Sequence, residues 1–343
     1  MGDVAMTVPV IYSLAKQYPD VRITVLSRGF ARAFFEDLAP NVDFMEADLK
    51  KEYHGVRGLN ALYRRLTAKQ FTKIADLHNV LRSEYLRMRF NMGRYRVEHL
   101  DKHRRERRML TAYNNKVRLQ LKTPFENYAD VLSRLGYPVT MEFTSLFPPE
   151  GGNLNMLPAI VGPKKSFEQW IGIAPTAAHP GKTYPTDRTR QVIRQLQQKY
   201  PKARFFLFGQ GREEERLFTA WCQEVPRCIY VSKHLENMHQ ELILMSHLDV
   251  MLSMDSSNMH LASLTATPVV SVWGATHPCA GFVGWNQPPE NAIQADLDCR
   301  PCSIYGNKAC RRGDLACMDL INPEQITERI EQIINQKSNS QTV

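Results

Sequence analysis

Long hydrophobic runs are missing from this 343-residue sequence. No apolar run reaches the ~18 residues that a membrane-spanning helix needs, so no segment is predicted to cross a membrane. The N-terminus also lacks the basic region of a secretory signal peptide, and Asp3 lies where such a peptide carries positive charge. We therefore expect a cytoplasmic protein.

Low-complexity segments are also scarce. Charged residues make up 23% of the chain and hydrophobic residues 43%, a composition that is typical of a globular protein and excludes a disordered one. A chain of 343 residues is long enough for two domains of ordinary size, each with its own hydrophobic core.

The seven cysteines do not indicate a disulfide framework, because cytoplasmic proteins keep their thiols reduced. Three are isolated and are interpreted as buried or incidental thiols: Cys222, Cys228 and Cys279. Four form a cluster with the spacing Cys299-x2-Cys302-x7-Cys310-x6-Cys317. This cluster suits a structural zinc held by four thiolates. Its spacing is not the symmetric pattern of a zinc ribbon, so free or locally paired thiols are the alternative.

The net charge of +9 is unevenly distributed along the chain. A dense basic stretch runs from Arg82 to Arg108 and includes Lys102, Arg104 and Arg105. Such a stretch can attract nucleic acid, anionic lipid or a phosphorylated substrate. Its ordinary structural interpretation is a solvated helix face.

Strands and helices alternate in both halves of the chain, as judged from apolar runs and from helical periodicity. The first half has predicted strands at 21–27, 42–47 and 73–78 and predicted helices at 5–17, 30–38 and 56–71. The second half has predicted strands at 170–174, 203–208, 250–254 and 269–273 and predicted helices at 186–200, 213–222 and 323–336. This alternation predicts an α/β protein with parallel sheets and helices on both faces.

Turn and linker residues between 148 and 165 separate the two halves. We predict an N-terminal domain at 1–155, a C-terminal domain at 156–322 and a helix with a tail at 323–343. Two Rossmann-like halves of this kind place a ligand cleft at the carboxyl ends of their strands. The chain begins with a helix pattern where such a domain normally begins with a strand. Either the first strand lies upstream of Met1, which we favour, or this domain lacks it.

The strongest candidate site is the segment from Asp255 to His260, which follows a predicted strand. Asp255, Ser256 and Ser257 suit the cap and first turn of a helix. The free N–H groups and the positive dipole end of such a helix bind anions, and His260 lies one turn further on. An ordinary capped helix without a ligand is the alternative.

A second candidate is the loop at 174–185, which is rich in small residues and contains Thr176 and Lys182. Backbone amides and one ammonium group allow such a loop to bind a phosphate. The loop lacks the Gly-x4-Gly-Lys-Ser/Thr spacing of a Walker A motif. A surface lysine without a ligand is the alternative.

Two weaker candidates are carboxylates at the starts of predicted helices. Glu213 follows Gly209-Gln210-Gly211 and suits either the helix dipole or the hydroxyl groups of a ribose. Asp3 opens the first helix, where it is either a helix cap or a general base for a sugar hydroxyl.

Taken in order, these segments resemble the motifs of glycosyltransferase family 9, the lipopolysaccharide heptosyltransferase family. The matching segments are Gly2-Asp3-Val4 with Pro9, Lys182-Thr183-Tyr184-Pro185, Gly209 to Glu215, Asp255 to His260, and Trp273-Gly274-Ala275-Thr276. Tyr184 replaces a Trp of the family pattern, and Ser257 replaces a Gly. The form of the Asp255 segment and the cysteine-rich tail resemble a Bacteroidetes-type subset of the family.

The resemblance implies a GT-B fold, in which two Rossmann-like doubly wound domains face a central cleft. It also implies an inverting, metal-independent transfer from a nucleotide-diphosphate sugar, with an ADP-sugar such as ADP-heptose favoured. Asp3 would be the general base, and Glu213 would bind the ribose of the donor. The residues implied to bind the donor are Thr176, Lys182, Glu213, Asp255, Ser256, Ser257 and His260.

The acceptor implied by the resemblance is a lipopolysaccharide core or a related anionic glycolipid, which the basic residues Lys102, Arg104 and Arg105 would suit. Such an acceptor also implies peripheral contact with the inner membrane. Two other functions are alternatives. One is a nonhydrolysing sugar-nucleotide epimerase on the same architecture. The other is a basic nucleic-acid-binding protein with a four-cysteine zinc site, although no recognisable nucleic-acid-binding motif supports a nucleic-acid partner.

Overall fold

The computed structural model describes residues 1–340 of the chain. These residues form two compact units of mixed helices and strands. The N-terminal unit comprises residue 1, residues 3–104 and residues 122–144, and the C-terminal unit comprises residue 2, residues 105–121 and the chain from residue 145 onward. The functional division predicted at residue 155 stays a prediction.

The N-terminal unit alternates short helices and short parallel strands. Its helices are α1 (Gly2–Ala5), α2 (Val8–Gln17), α3 (Arg32–Phe35), α4 (Gly55–Thr67), α5 (Leu81–Met92) and α7 (Pro124–Arg134). Helix α6 (Arg104–Leu110), which lies between α5 and α7 in the sequence, belongs to the C-terminal unit except for Arg104. Its strands are β1 (Ile23–Ser27), β2 (Val42–Glu46), β3 (Lys73–Asp76) and β4 (Arg96–His99). The three predicted strands are confirmed in slightly shorter form, and β4 and α5 are additions that the sequence patterns did not indicate.

The strands of this unit pair in parallel as β1–β2 and as β3–β4, which form separate two-stranded sheets in the described part of the chain. Helix α4 covers a core through Leu59, Leu62 and Leu66, whose three- and four-residue spacing places them on one helix face. Helix α7 begins at a capping box, in which the Thr123 hydroxyl accepts from the Glu126 amide and the Glu126 carboxylate accepts from the Thr123 amide.

The C-terminal unit is built on one six-stranded parallel sheet. Its strands are β5 (Trp170–Ala174), β6 (Arg204–Leu207), β7 (Cys228–Tyr230), β8 (Val250–Met254), β9 (Val269–Trp273) and β10 (Ala292–Gln294). Its helices are α8 (Thr186–Lys199), α9 (Arg212–Glu224), α10 (Met238–Ser246), α11 (Ser257–Leu264), α12 (Ala316–Asp319) and α13 (Pro323–Ser340). The strand order is β10-β9-β8-β5-β6-β7.

The three central strands β5, β8 and β9 are buried at every residue, which explains their unbroken apolar sequences. Their predicted bounds are confirmed residue for residue. On one face, the isoleucines Ile326 and Ile330 of α13 join Val192 and Leu196 of α8 in the same hydrophobic core. Because the strands run parallel, the loops that follow β5, β6, β8 and β9 lie along one edge of the sheet.

A long irregular segment lies between β10 and α12, at residues 295–315. It contains three of the four clustered cysteines, and the fourth, Cys317, lies in α12. Within residues 1–340, no helix is both long and apolar enough to span a membrane.

Candidate active site

The loop after β5 carries Lys182 to the carboxyl edge of the sheet. This loop ends in a short 3-10 helix, Pro180–Lys182, where the backbone turns before α8. The Lys182 ammonium lies 2.9 Å from the Asp255 carboxylate, and the two side chains are only 16% and 6% exposed. The structure therefore joins two residues that the sequence analysis placed in separate candidate segments.

The loop after β8 leads directly into the N-terminus of α11. The cap residue is Ser256, in extended conformation, and Asp255 precedes it. Ser256 makes no side-chain capping bond within the described structure, and its Oγ lies 3.2 Å from the Ser253 Oγ instead. The first-turn amides of α11 consequently have no side-chain acceptor at the cap, and they can bind an anion.

His260 lies inside α11 and is 7% exposed. Its Nδ1 atom is buried, and among the described residues it has no hydrogen-bond partner. Burial, together with the Lys182 ammonium, lowers the pKa of His260 to about 3. The imidazole is therefore neutral at physiological pH and can use a ring nitrogen in a hydrogen bond with a ligand.

The loop after β6 brings a carboxylate close to the β5 loop. Gly211 has a φ angle of 143°, which favours glycine, and α9 begins directly after it. The Thr176 hydroxyl donates to Glu214 Oε1 at 3.3 Å. The predicted ribose ligand Glu213 is exposed on α9, so the carboxylate that meets Thr176 belongs to its neighbour.

The loop after β9 contacts the loop that carries Lys182. The Ala275 amide donates to the Gly181 carbonyl at 2.8 Å. A Cβ atom on Gly274 would lie 2.6 Å from the same carbonyl, so only glycine allows this approach. The aliphatic part of the Lys182 side chain packs against Gly306, since a Cβ atom on Gly306 would lie 2.4 Å from the Lys182 Cγ.

Arg300 stabilises the loop after β9 through hydrogen bonds to its backbone. Its side chain is 2% exposed and donates to the carbonyl oxygens of Trp273 at 2.9 Å and of Thr276 at 3.0 Å, and also to the Gly274 carbonyl. A buried guanidinium among carbonyl oxygens fixes the backbone around it, since each broken bond would leave a polar group without a partner. Nothing in the local sequence around Arg300 indicates this role.

Asp3, the predicted general base, lies in α1 of the N-terminal unit and is exposed. The Asp3 carbonyl accepts from the Tyr128 hydroxyl at 3.3 Å, which connects α1 to α7. Of the basic residues predicted to bind an acceptor, Lys102 and Arg104 line an open recess of the same unit. Arg105 belongs to the C-terminal unit.

The recess that Lys102 and Arg104 line is also lined by Asn79, Val80, Leu81, Arg82 and Glu84. The loop after β3 contributes Asn79 to this lining. There Asp76 accepts from the His78 amide at 3.0 Å and from the Asn79 amide at 2.9 Å, and it pairs with Arg87 at 3.2 Å. This loop leads into the N-terminal end of α5, where Arg82 lines the recess together with Lys102 and Arg104.

The four clustered cysteines line one small cavity in the C-terminal unit. None of the seven cysteines forms a disulfide in the described structure. Among the described residues, no group of three or more His, Cys, Asp or Glu side chains is arranged to hold a metal ion.

Comparison with known proteins decides the family of this chain. The sequence model of glycosyltransferase family 9 (heptosyltransferase) matches residues 59–310. The chain belongs to glycosyltransferase family 9. The predicted α/β GT-B class, the enzymatic nature of the protein and its glycosyltransferase activity are thereby confirmed.

The family 9 assignment agrees with individual relatives. Lipopolysaccharide heptosyltransferase 3 of Escherichia coli is 24% identical over an alignment of 313 positions, and the match covers 85% of this chain and 85% of that protein. A glycosyl transferase family 9 structure from Veillonella parvula has a TM-score of 0.71 at 18% identity, and covers 98% of this chain and 95% of that chain. The structure of the E. coli heptosyltransferase WaaC with ADP-2-deoxy-2-fluoro heptose has a TM-score of 0.65 at 16% identity. The match covers 97% of this chain and 96% of that chain.

This family 9 glycosyltransferase departs from the family pattern at two positions that differ in their surroundings. Tyr184 is fully buried, its hydroxyl donates to the Ile321 carbonyl at 2.7 Å, and burial raises its pKa to about 12. The Trp-to-Tyr change therefore lies in the protein interior. Ser257, in contrast, is the first residue of α11 and is partly exposed at the candidate anion site.

Proposed function

We propose that this family 9 glycosyltransferase transfers a heptose or a related sugar from an ADP-sugar to a lipopolysaccharide core or a related glycolipid. Transfer would invert the anomeric centre and would need no metal. One observation carries the proposal. Lys182, the first-turn amides of α11 and the neutral imidazole of His260 meet at the same edge of one sheet.

These groups suit a diphosphate leaving group. As the bond between sugar and phosphate breaks, negative charge grows on the diphosphate oxygens. The ammonium of Lys182 and the amides at Ser257 would stabilise that charge, and His260 would donate a hydrogen bond without adding charge. Asp255 positions Lys182 for this role through their ion pair.

The nucleoside half of the donor would bind beside the diphosphate. A carboxylate at the start of α9 can accept hydrogen bonds from the two ribose hydroxyls. The sequence predicts Glu213 for this role, and the contact between Glu214 and Thr176 favours Glu214 as a second carboxylate. Both lie in the first turn of α9, where the helix dipole stabilises negative charge.

The acceptor hydroxyl would be activated by Asp3. Inversion requires that the nucleophile attacks the face of the sugar opposite to the leaving diphosphate. A general base must therefore belong to the acceptor side, and a carboxylate exposed at the start of α1 suits this role. The family resemblance of the Gly2-Asp3-Val4 segment supports the same assignment.

The basic recess of the N-terminal unit would bind the acidic part of the acceptor. Lys102, Arg104 and Arg82 line it, and guanidinium groups bind phosphate and carboxylate oxygens in pairs. Replacement of Arg82 and Arg104 by glutamine should raise the KM for the acceptor and leave the KM for the donor unchanged. An unchanged acceptor KM would remove the recess from the proposal.

Helix α5 would contact the membrane that holds the acceptor. Three apolar side chains of α5 are exposed: Leu81 by 84%, Met88 by 49% and Met92 by 75%. Their spacing of seven and four residues places them on one helix face, and Arg82 and Arg104 lie nearby to pair with anionic lipid.

Sedimentation with phosphatidylglycerol vesicles tests the membrane contact. The double variant Leu81→Ser/Met92→Ser should bind several-fold more weakly than wild type, because less apolar surface enters the lipid. Met156→Ser provides the matched control, since Met156 is 50% exposed in the C-terminal unit. Equal binding by all three proteins would exclude α5 as the contact.

Nucleotide binding in the presence of EDTA tests the donor site. ADP at about 100 times its Kd should stabilise the protein by about 2.7 kcal/mol, which a thermal shift detects, and UDP and GDP provide the comparison. If no nucleoside diphosphate or nucleotide sugar shifts the melting temperature, the donor site is wrongly assigned.

Product analysis separates transfer from epimerisation. We expect no turnover of ADP-heptose unless a glycolipid acceptor is present, and a product with inverted anomeric configuration when it is. Turnover of a UDP-sugar without an acceptor would instead identify an epimerase.

A further inference from the structure

We propose that the C-terminal unit carries a binding surface for an anionic saccharide, formed by residues 105–121 and 304–312, which we call the tyrosine–arginine surface. The ligand that it fits is a sugar chain with phosphate or carboxylate groups. Such a chain is the polar part of the acceptor in the proposed function, and the assignment to the acceptor rests on that function.

The first segment of the surface is firmly attached to the C-terminal unit. Residues 105–121 belong to that unit, although the chain on both sides of them belongs to the N-terminal unit. The buried side chains of Leu110 and Leu121 lie in one hydrophobic cluster of the C-terminal unit. The Lys116 ammonium also donates to the Asp298 carbonyl at 3.0 Å. These contacts keep the segment beside residues 304–312.

Most of the excess positive charge of the chain lies in these two segments. They contain eight lysines and arginines and one acidic residue, which gives a net charge of +7 in a chain whose net charge is +9. Within residues 1–340, Arg312 pairs with Asp314, and Arg118 pairs with two aspartates. Four other cations are exposed and form no ion pair within those residues: Arg105, Arg108, Lys308 and Arg311. Their charge can attract an anionic ligand.

Two tyrosine–arginine pairs join the two segments. The Arg311 guanidinium lies 4.9 Å from the centroid of the Tyr113 ring. The Arg107 guanidinium lies 5.9 Å from the centroid of the Tyr305 ring, and its Nη1 donates to the Tyr305 hydroxyl at 2.7 Å. Tyr113 is 76% exposed and Tyr305 is 48% exposed. An exposed aromatic ring can pack against the C–H face of a sugar, and a guanidinium binds phosphate or carboxylate oxygens in pairs.

The surface reaches the loop that carries Lys182. Gly306 follows Tyr305 directly and packs against the aliphatic part of the Lys182 side chain. The amides of Tyr305 and Gly306 donate to the Ser303 hydroxyl at 3.3 Å and 2.9 Å, which stabilises the turn. A saccharide bound at Tyr305 would therefore lie close to the donor-binding loop, where transfer requires the acceptor to be.

The arrangement favours a saccharide over a lipid surface. Cations that attract a membrane act on a diffuse surface charge and need no fixed position. Arg107 and Arg311 are instead held on tyrosine rings, and a guanidinium in a fixed position suits a discrete anionic group. Met109 and Val117 of the first segment are only 36% and 42% exposed, less than either tyrosine, so little aliphatic surface could enter lipid.

Binding of a deacylated lipopolysaccharide core saccharide, with its phosphate groups intact, tests the surface in the absence of nucleotide. Calorimetry should show binding to the wild type. The double variant Arg108→Gln/Arg311→Gln should raise the Kd about 10-fold, because two charge-assisted contacts are lost. Tyr113→Ala should raise it about 3-fold through the loss of ring contact. No binding to the wild type, or the same Kd for wild type and both variants, would overturn the proposal.

A second aromatic site of the same unit provides the matched control. The ammonium groups of Lys165 and Lys202 lie 5.9 Å and 4.6 Å from the ring centroid of Phe167, which is 51% exposed. Lys165→Gln/Lys202→Gln and Phe167→Ala should keep the wild-type Kd for the saccharide. An equal loss of affinity in these controls would show a nonspecific effect of charge and would count against the surface.

Initial rates give a second readout. Arg108→Gln/Arg311→Gln should raise the KM for the glycolipid acceptor about 10-fold and leave the KM for the nucleotide sugar and kcat close to wild type, since neither residue contacts Lys182 or the first turn of α11. A lower kcat with an unchanged acceptor KM would contradict a role in acceptor binding.

Other polyanions define the remaining outcomes. The double variant should bind phosphatidylglycerol vesicles and a single-stranded RNA oligonucleotide as the wild type does. Loss of binding to vesicles or to RNA with an unchanged Kd for the saccharide would identify a membrane or nucleic-acid surface and overturn the proposal. Saccharide binding that depends on these arginines, together with no binding of ADP, would contradict the proposed function and leave the surface standing.

Discussion

The two units of this glycosyltransferase differ in the continuity of their sheets and in the burial of their strands. The C-terminal unit has one continuous parallel sheet, whose central strands β5, β8 and β9 are buried throughout. The described N-terminal unit has two separate pairs of strands, in which β1 is half-buried and β4 is exposed at both ends. Local stability follows buried apolar contact, so the C-terminal sheet is the more rigid scaffold.

This difference matters because each unit carries a different part of the proposed chemistry. On the C-terminal sheet, the ion pair of Lys182 with Asp255 and the buried ring of His260 are held in place before any ligand binds. Preordered groups of this kind suit the binding of a charge that must be stabilised in the transition state. In the N-terminal unit, Asp3 and Arg104 are exposed. We therefore expect changes in the C-terminal unit to alter donor affinity, and changes in the N-terminal unit to alter the rate or the use of acceptor.

The largest effect is expected for Asp3→Asn, which tests the N-terminal half of the comparison. Loss of a general base should lower kcat by about 10²- to 10⁴-fold and leave the Kd for ADP unchanged. Initial rates and isothermal titration calorimetry measure the two quantities. Asp20→Asn, another exposed aspartate of the same unit, is the control. If Asp3→Asn transfers sugar at the wild-type rate, Asp3 is not the base.

The next effect is expected for Lys182→Met, which tests the C-terminal half. Loss of a charge-assisted bond to the diphosphate costs about 1.5–3 kcal/mol, which corresponds to roughly a 10- to 150-fold higher Kd for ADP. Because this variant leaves the Asp255 carboxylate buried without its partner, the double variant Lys182→Met/Asp255→Asn separates ligand binding from stability. Lys199→Met, with its ion pair to Glu331, is the control. An unchanged Kd would contradict the role of Lys182.

The third prediction concerns pH. Since the pKa of His260 is lowered to about 3, the folded protein does not protonate this ring between pH 6.5 and pH 3, whereas the unfolded chain does. The contribution of His260 to stability is complete above pH 6.5 and is lost as the pH falls towards 3. The melting temperature of His260→Gln should therefore fall less over this range than that of wild type. His54→Gln, at an exposed position, is the control and should follow wild type. Parallel profiles for His260→Gln and wild type would show that the ring takes up its proton over the same pH range in the folded and the unfolded state.

The smallest effect distinguishes two neighbouring carboxylates of α9. Glu214→Gln should raise the Kd for ADP by about 2- to 10-fold, because Glu214 meets Thr176 at the sheet edge. This fold-change corresponds to the free energy of one hydrogen bond. Glu213→Gln is the matched comparison, and we expect a smaller change for it. A larger effect of Glu213→Gln would restore the assignment made from the sequence.

Much of the C-terminal unit was predictable from its sequence. Strands β8 and β9 are fully buried, so their apolar runs have clear ends, and both were predicted residue for residue. Strands β7 and β10 have three residues each, and the patterns did not indicate them, since pairing with a longer neighbour defines such a short edge strand.

The candidate site shows the same limit. Lys182, Asp255 and His260 were predictable because each follows a strand, and parallel strands end at one edge. Arg300, Glu214 and Gly306 were not, because nothing in their local sequence distinguishes them. Arg300 has its role only because carbonyl oxygens from a distant loop surround it.

The sequence by itself determined the family, the alternation of strands and helices, and the residue types of the candidate anion site at the start of α11. These are local properties, since strand burial and helix caps depend on neighbours along the chain. Only the tertiary structure decided that Lys182 pairs with Asp255, that Glu214 meets Thr176, and that four cysteines share one cavity. Such contacts join residues far apart in sequence, and they form only where packing of the sheet and its loops brings those residues within reach of one another.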